Sequence, residues 1–132
     1  MNLHHRKKLI ADVCARGDMN SLTTLFEETT REWPYFMQHV EGGTISSFDD
    51  LICEISPEVA FHLVPKAAQL ALDQQRPELC DTALSLAIDL ARRSNTTEIP
   101  TDLKALLTRL KQSSTSKFRL VDYLLEWYRL AG

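Results

Sequence analysis

An all-α fold is what the amino-acid sequence predicts, and three observations lead to it. The 132 residues include only four glycines and five prolines, and no stretch alternates apolar and polar residues as a half-buried strand would. Apolar side chains instead recur at spacings of three and four, with narrow polar stripes between them. Helix start and stop residues separate these segments. We therefore expect six or seven helices in a single α-helical domain, residues 1–132.

The first half of the chain predicts two helices and a short third one. The first runs from about Leu3 to Ala15, and Gly17 is a natural stop just beyond it. Asp18 can cap the second helix, which should end near Trp33 because a proline follows and disfavours the α region for its predecessor. The least regular part of the chain comes next, and "FDDLICEI" then predicts a short helix.

The middle of the chain predicts two helices that form an antiparallel pair. Ser56 as a cap and Pro57 at the first helical position are a strong start signal. Pro65 lies inside the pattern and should kink this helix, since proline removes one backbone hydrogen bond. The connection "QQRP" is only four residues long, which makes the two helices antiparallel neighbours. Both have so little polar surface that each must be covered on several sides.

The stretch "DTALSLAIDLARRSNTTEIP" contains two arginines and clustered hydroxyls. It is explained as the end of one helix, a short linker and the start of the next helix. Arg92 and Arg93 fall in the last helical turn, where cations complement the helix dipole. Asn95 can take the left-handed conformation that ends a helix. "TDLKALLTRLKQ" and "KFRLVDYLLEWYRLAG" supply the last helices. The helix pairs either stack in two layers, as HEAT-like α-hairpin repeats do, or form a compact irregular bundle, because no repeat of fixed period is visible.

The residue patterns of common enzymes and metal sites are absent from the sequence. The three cysteines are far apart without a CxxC pair, no HExxH occurs, and the Gly-Gly pair follows no strand. We expect a protein that is not an enzyme and that uses no metal or cofactor. Unpaired cysteines favour a reducing compartment, and no apolar run approaches the roughly 18 residues of a membrane span. The sequence therefore predicts a cytoplasmic protein without a membrane segment.

Charge is distributed unevenly along the chain. Residues 27–58, here called the acidic segment, contain eight carboxylates and one arginine, a net charge of −7, whereas the residues on either side carry net +2 each. Such a segment disfavours nucleic acid and favours a basic partner. The alternative is a solvated acidic face that serves solubility. The basic start "HHRKK" is expected to be a solvated helix start and not a nucleic-acid site.

Aromatic residues accompany the acidic segment where its structure is least regular. Trp33, Tyr35 and Phe36 either fold back to close the end of a core or anchor an interface rimmed by carboxylates. With no catalytic pattern elsewhere, we expect the interface to be here. The predicted partner-binding residues are Glu27, Glu28, Glu32, Trp33, Tyr35, Asp49, Asp50 and Glu54.

The stretch from Ile55 to Leu107, and above all "ALSLAIDLARRSNTTEIP", resembles small α-helical immunity proteins of bacterial polymorphic toxin systems. In that setting a helix pair is followed by an "SxTTEIP" link of the kind seen at Ser94–Pro100. The resemblance implies a non-enzymatic cytoplasmic protein that binds a cognate toxin domain and blocks its active site or substrate entry. Such families vary most where they meet their toxin, so no binding residue is carried over.

The charge pattern is compatible with this implication. Toxins that attack nucleic acid or nucleotides are often basic around their sites, and an acidic surface would both mimic phosphates and speed the encounter. We therefore expect a cognate toxin domain, such as a nuclease or a nucleotide-modifying enzyme, as the partner. The alternative is a helical-repeat adaptor that binds a peptide or helix in a groove between helix pairs. The two functions differ in the number of partners: an immunity protein binds one dedicated toxin, whereas an adaptor binds several proteins.

Overall fold

Seven α-helices account for the regular structure of residues 3–32, 48–113 and 120–130, which are the parts of the chain that the computed structural model describes. No strand occurs within these ranges, and the predicted all-α class is confirmed. The helices are α1 (Leu3–Arg16), α2 (Met19–Glu32), α3 (Asp49–Glu54), α4 (Pro57–Asp73), α5 (Pro77–Ser94), α6 (Leu103–Ser113) and α7 (Leu120–Trp127).

The chain divides into two compact units, Met1–Ile55 and Ser56–Gly132. The first contains α1 to α3 and the second contains α4 to α7. All the predicted partner-binding residues belong to the first unit. The expectation of a single domain remains a prediction.

The turn between α1 and α2 forms as the sequence predicts. Gly17 has φ of 63°, and its N–H donates to the Val13 carbonyl over 2.7 Å. Glycine takes this left-handed conformation without steric cost, so α1 ends here. The Asp18 carboxylate then accepts from the N–H groups of Asn20 and Ser21 at 3.0 and 3.1 Å, which confirms it as the cap of α2.

In the first unit, α1 packs against both α2 and α3. The rings of Phe26 and Phe48 stack with their centroids 6.1 Å apart. Val13, Leu22 and Leu51 are fully buried around these helices. Because α3 has only six residues, it depends on this packing and not on its own helix propensity.

In the second unit, α4 and α5 form the predicted hairpin. The Ser56 hydroxyl accepts from the Val59 N–H at 3.3 Å and Pro57 follows at the first helical position, so both start signals are confirmed. Pro77 opens α5 in the same way. Helix α4 continues through Pro65 to its end at Asp73; the kink expected there remains a prediction.

In the second unit, each helix of one hairpin packs against one helix of the other hairpin. Helix α4 packs against α5 and α6, and α7 packs against α5 and α6. This order fits two stacked α-hairpins, as in HEAT-like repeats, and equally a compact four-helix bundle, so the choice between the two remains a prediction. The indole N–H of Trp127 donates to the Thr96 carbonyl over 3.0 Å and ties α7 to the link after α5.

Helix α5 ends where the sequence predicts. Asn95 adopts the left-handed conformation, with φ of 55° and ψ of 36°. Arg92 and Arg93 lie exposed in the last turn, where their charges complement the helix dipole. No chemical role is needed to explain the two arginines or the link that follows them.

Candidate binding surface

Five of the eight predicted partner-binding residues have described side chains, and they lie on two helices of the first unit. Glu27 and Glu28 are on α2, and Asp49, Asp50 and Glu54 are on α3. Glu32 is the last residue of α2, but its side chain is outside the described part of the chain, as are Trp33 and Tyr35 altogether. The aromatic part of the predicted interface therefore remains a prediction.

Arg6 of α1 is the centre of the polar contacts between these helices. Its side chain is buried, with only 5% of the residue exposed. Its Nε and Nη2 donate to the two carboxylate oxygens of Asp50 at 2.7 and 2.9 Å. Its Nη1 donates to the Thr29 hydroxyl at 2.6 Å. One guanidinium thus bonds to both α2 and α3 from α1.

The Asp50 carboxylate is part of this internal network, although its side chain remains 49% exposed. Partial burial raises the pKa of the carboxyl, but hydrogen bonds from Arg6 and the positive charge of Arg6 outweigh that effect, so the pKa lies below its ordinary value. A two-pronged bond from a buried arginine is among the strongest polar contacts in proteins. If a partner protein bound the Asp50 carboxylate instead, the buried guanidinium of Arg6 would lose this contact.

Glu28 also faces α1. Its Oε2 lies 3.1 Å from Nε2 of His5. That oxygen is buried and accepts no aligned hydrogen bond within the described residues. Glu28, like Asp50, is thus directed toward the basic start of α1.

The prediction that "HHRKK" is a solvated helix start is wrong for Arg6. Arg6 is three, four and seven residues before Leu9, Ile10 and Val13, which are the buried residues of α1. Residues at these spacings share one face of a helix. The sequence therefore contained the signal for its burial, because the buried face of α1 continues through position 6. Lys7, next to it, is exposed as expected.

Four of the predicted carboxylates are exposed in the first unit, and three of them are not bonded to Arg6 as Asp50 is. These three are Glu27, Asp49 and Glu54. Glu27 follows Phe26 on α2, and Asp49 follows Phe48 at the start of α3. Glu54 is at the other end of α3, where its charge acts on Cys14 of α1. We call Glu27, Asp49 and Glu54 the exposed acidic set.

The two cysteines of the first unit lie on different helices and differ in exposure. Cys53 is exposed on α3, and Cys14 is half-buried on α1. Burial, and after it the charge of Glu54, raises the pKa of the Cys14 thiol above its ordinary value. A reactive thiol needs the opposite shift, because the thiolate is the nucleophile.

Two buried ionisable groups of the second unit, Cys80 and Tyr128, have pKa values well above neutral. Burial, together with the charge of Asp81, raises the pKa of Cys80 to about 11. Burial raises the pKa of Tyr128 to about 12. The Tyr128 hydroxyl is buried without a hydrogen-bond partner in the described part of the unit. Both groups are protonated at neutral pH, and general acids or bases work best with a pKa near the operating pH.

The described residues contain no group of three or more histidine, cysteine or carboxylate side chains that could hold a metal ion. Nor, within the same ranges, is any helix long and apolar enough to cross a bilayer. Comparison with known proteins gives no match to a protein-family model, a curated protein or a solved structure. The resemblance to immunity proteins rests on the residues of Ile55–Leu107 alone.

Proposed function

We propose that this chain is a cytoplasmic immunity protein that binds a cognate bacterial toxin domain and neutralises it by covering its active site or substrate entry. The observation that carries the proposal is the concentration of negative charge in the acidic segment, with four of its carboxylates exposed on α2 and α3 and three of these outside the Arg6–Asp50 pair. The resemblance of Ser94–Pro100 and the helix pair before it supports the same class. No turnover by this chain is involved.

The exposed acidic set supplies the electrostatic part of this mechanism. Its carboxylates are free to meet a basic surface, such as the phosphate-binding site of a nuclease or a nucleotide-modifying enzyme. Asp50 and Glu28 have a different role, since their nearest described partners are Arg6 and His5 of the same unit. The proposed contact set within the described residues is therefore Glu27, Asp49 and Glu54.

The test begins with capture of the tagged chain from its native host and identification of any stoichiometric partner by mass spectrometry. The dissociation constant is then measured for wild type and for the triple variant Glu27→Lys, Asp49→Lys, Glu54→Lys. Charge reversal against a basic partner should weaken binding about 100-fold or more, because like charges at an interface cost several kcal/mol.

A matched control separates the surface from the net charge. Asp73→Lys, Glu98→Lys, Glu126→Lys reverses three exposed carboxylates of the second unit and changes the total charge equally. The proposal expects this control to bind within about threefold of wild type, as rim and distant charges contribute little. If both triple variants bind as wild type does, the exposed acidic set is not the contact surface.

A helical-repeat adaptor is the second candidate, and the order of packing in the second unit favours it. Helix α4 packs against α6 and α5 packs against α7, an order found in the stacked hairpins with which repeat proteins form binding grooves. An adaptor binds several partners that do not kill cells. An immunity protein binds one partner whose expression is lethal in its absence.

A further inference from the structure

Within the described residues, helix α3 is held by apolar contacts and by one charged contact. The helix has six residues, and its cap residue Phe48 provides no side-chain hydrogen bond to the first turn. An isolated helix of this length does not form in water. Its anchors in the described structure are the burial of Phe48, Leu51 and Ile55 and the two-pronged bond from Arg6 to Asp50.

The charged anchor differs from the apolar ones in its energetics. A buried guanidinium loses its hydration, and its contact with a carboxylate must offset that loss. Loss of either partner removes a charge-assisted contact from the other, and for a buried group such a loss costs more than the contact itself contributes. Arg6 also bonds to Thr29 of α2, so the same side chain fixes α3 relative to the α1–α2 hairpin.

We propose that Arg6 is the positioning residue of α3: through Asp50 it holds α3 against α1 and α2, and without this bond α3 opens at least about tenfold more often while α1 and α2 remain paired. The hairpin has its own turn at Gly17 and Asp18 and its own buried contacts, so it does not need α3 to form its helices. This role of Arg6 is argued from geometry and is independent of the proposed function. An effect of Arg6 on partner binding, through Asp49 and Glu54 of α3, does rest on the proposed function.

Amide hydrogen exchange of the full chain tests the proposal without any partner. The amides of Ile52 and Ile55, which donate within α3 to Phe48 and Leu51, report its opening. In Arg6→Met these two amides should exchange at least about tenfold faster, whereas buried α2 amides such as those of Leu25 and Phe26 change less than about twofold. Lys7→Met, an exposed cation on the same helix, is the control and should leave every rate unchanged.

A double-mutant cycle ties the effect to Asp50. Asp50→Asn should accelerate the same two amides, and Arg6→Met combined with Asp50→Asn should be no faster than the quicker single variant, because the partners act as one contact. Arg6→Lys keeps the charge but loses the two-pronged geometry, so it should give an intermediate rate if Arg6→Met folds poorly.

Three results would overturn the proposal. One is unchanged exchange of Ile52 and Ile55 in Arg6→Met or Arg6→Lys. Another is equal loss of protection in α2 and α3, which would make Arg6 a general stabiliser of the unit. The third is an additive double variant, which would mean that Arg6 and Asp50 act separately. None of these outcomes depends on a toxin, so failure here is distinct from failure of the proposed function.

Discussion

At the scale of single residues, Asp49 and Asp50 are adjacent on α3 but have different environments. Asp49 is exposed, and no hydrogen bond or ion pair of its side chain occurs in the described structure. Asp50 accepts two hydrogen bonds from a buried arginine. Neighbouring carboxylates in the same helical turn therefore serve different purposes, one available to a partner and the other committed to the fold.

We expect Asp50→Asn to lower the free energy of unfolding by about 1–3 kcal/mol, less than for a fully buried pair because water reaches this carboxylate. Asp49→Asn should change it by less than about 0.5 kcal/mol. Urea unfolding at pH 7 measures both. Equal effects of the two substitutions would contradict the structural role of Asp50.

The same pair makes a pH prediction. Arg6 lowers the pKa of Asp50 in the folded state, so its stabilising contribution is complete above the unfolded pKa of about 3.9 and is lost as pH falls through the lower folded value. The difference in stability between wild type and Asp50→Asn should thus shrink as pH falls below about 4. A difference that stays constant from pH 7 to pH 3 would show that the carboxylate charge is not responsible.

The three cysteines should differ in reactivity. Cys53 is exposed, Cys14 is half-buried, and Cys80 is buried with a pKa of about 11. Native protein treated with iodoacetamide at pH 7.5 should therefore be modified first at Cys53, more slowly at Cys14 and last at Cys80. Mass spectrometry of the digested protein measures the order, and denaturant should equalise the rates. Early modification of Cys80 in native protein would contradict its burial.

At the scale of helices, local chemistry determines where most elements begin and end. Asp18, Ser56 and Asn95 act as the sequence predicts, because caps and left-handed stops depend on the residue and its immediate neighbours. The environments of Asp50 and Glu28 could not be predicted in the same way. They depend on which helices pack together, and Arg6 lies 44 residues from Asp50 in sequence.

Asn95 offers a test of one such element boundary. Asn95→Ala should destabilise the protein by about 1 kcal/mol, since a Cβ without a polar group disfavours the left-handed conformation, whereas Asn95→Gly should be neutral or slightly stabilising. Thr97, two residues on in the same link, lacks positive φ and is the control. At Thr97 the order of stability should be reversed, with Thr97→Gly less stable than Thr97→Ala. Thermal unfolding of the four variants checks both orders.

At the scale of the whole molecule, the sequence was sufficient for fold class but not for packing. The helical periodicity predicts an all-α chain, and both a two-layer stack and an irregular bundle are compatible with it. The pairing of α4 with α6 and of α5 with α7 in the second unit fits both arrangements, so the choice between them remains a prediction. Long-range packing of this kind leaves little local signal, because any apolar stripe fits several neighbours.

If the acidic segment guides association, ionic strength should control the rate. Raising salt from about 50 to 500 mM should lower the association rate constant with the captured partner about tenfold or more, with a much smaller effect on dissociation. The triple variant of the exposed acidic set should show a weaker salt dependence than the second-unit control. Stopped-flow mixing measures these rates, and an association rate independent of salt would exclude electrostatic steering.

The proposed immunity is tested by the survival of cells that express the toxic domain of the captured partner. Colony counts are compared with the wild-type chain, the Glu27→Lys, Asp49→Lys, Glu54→Lys variant, the second-unit control variant, or an empty vector. Full survival is expected with wild type and with the control, and killing with the exposed-set variant and the empty vector. A partner that does not kill cells on its own, or killing that the wild-type chain does not prevent, would rule out immunity.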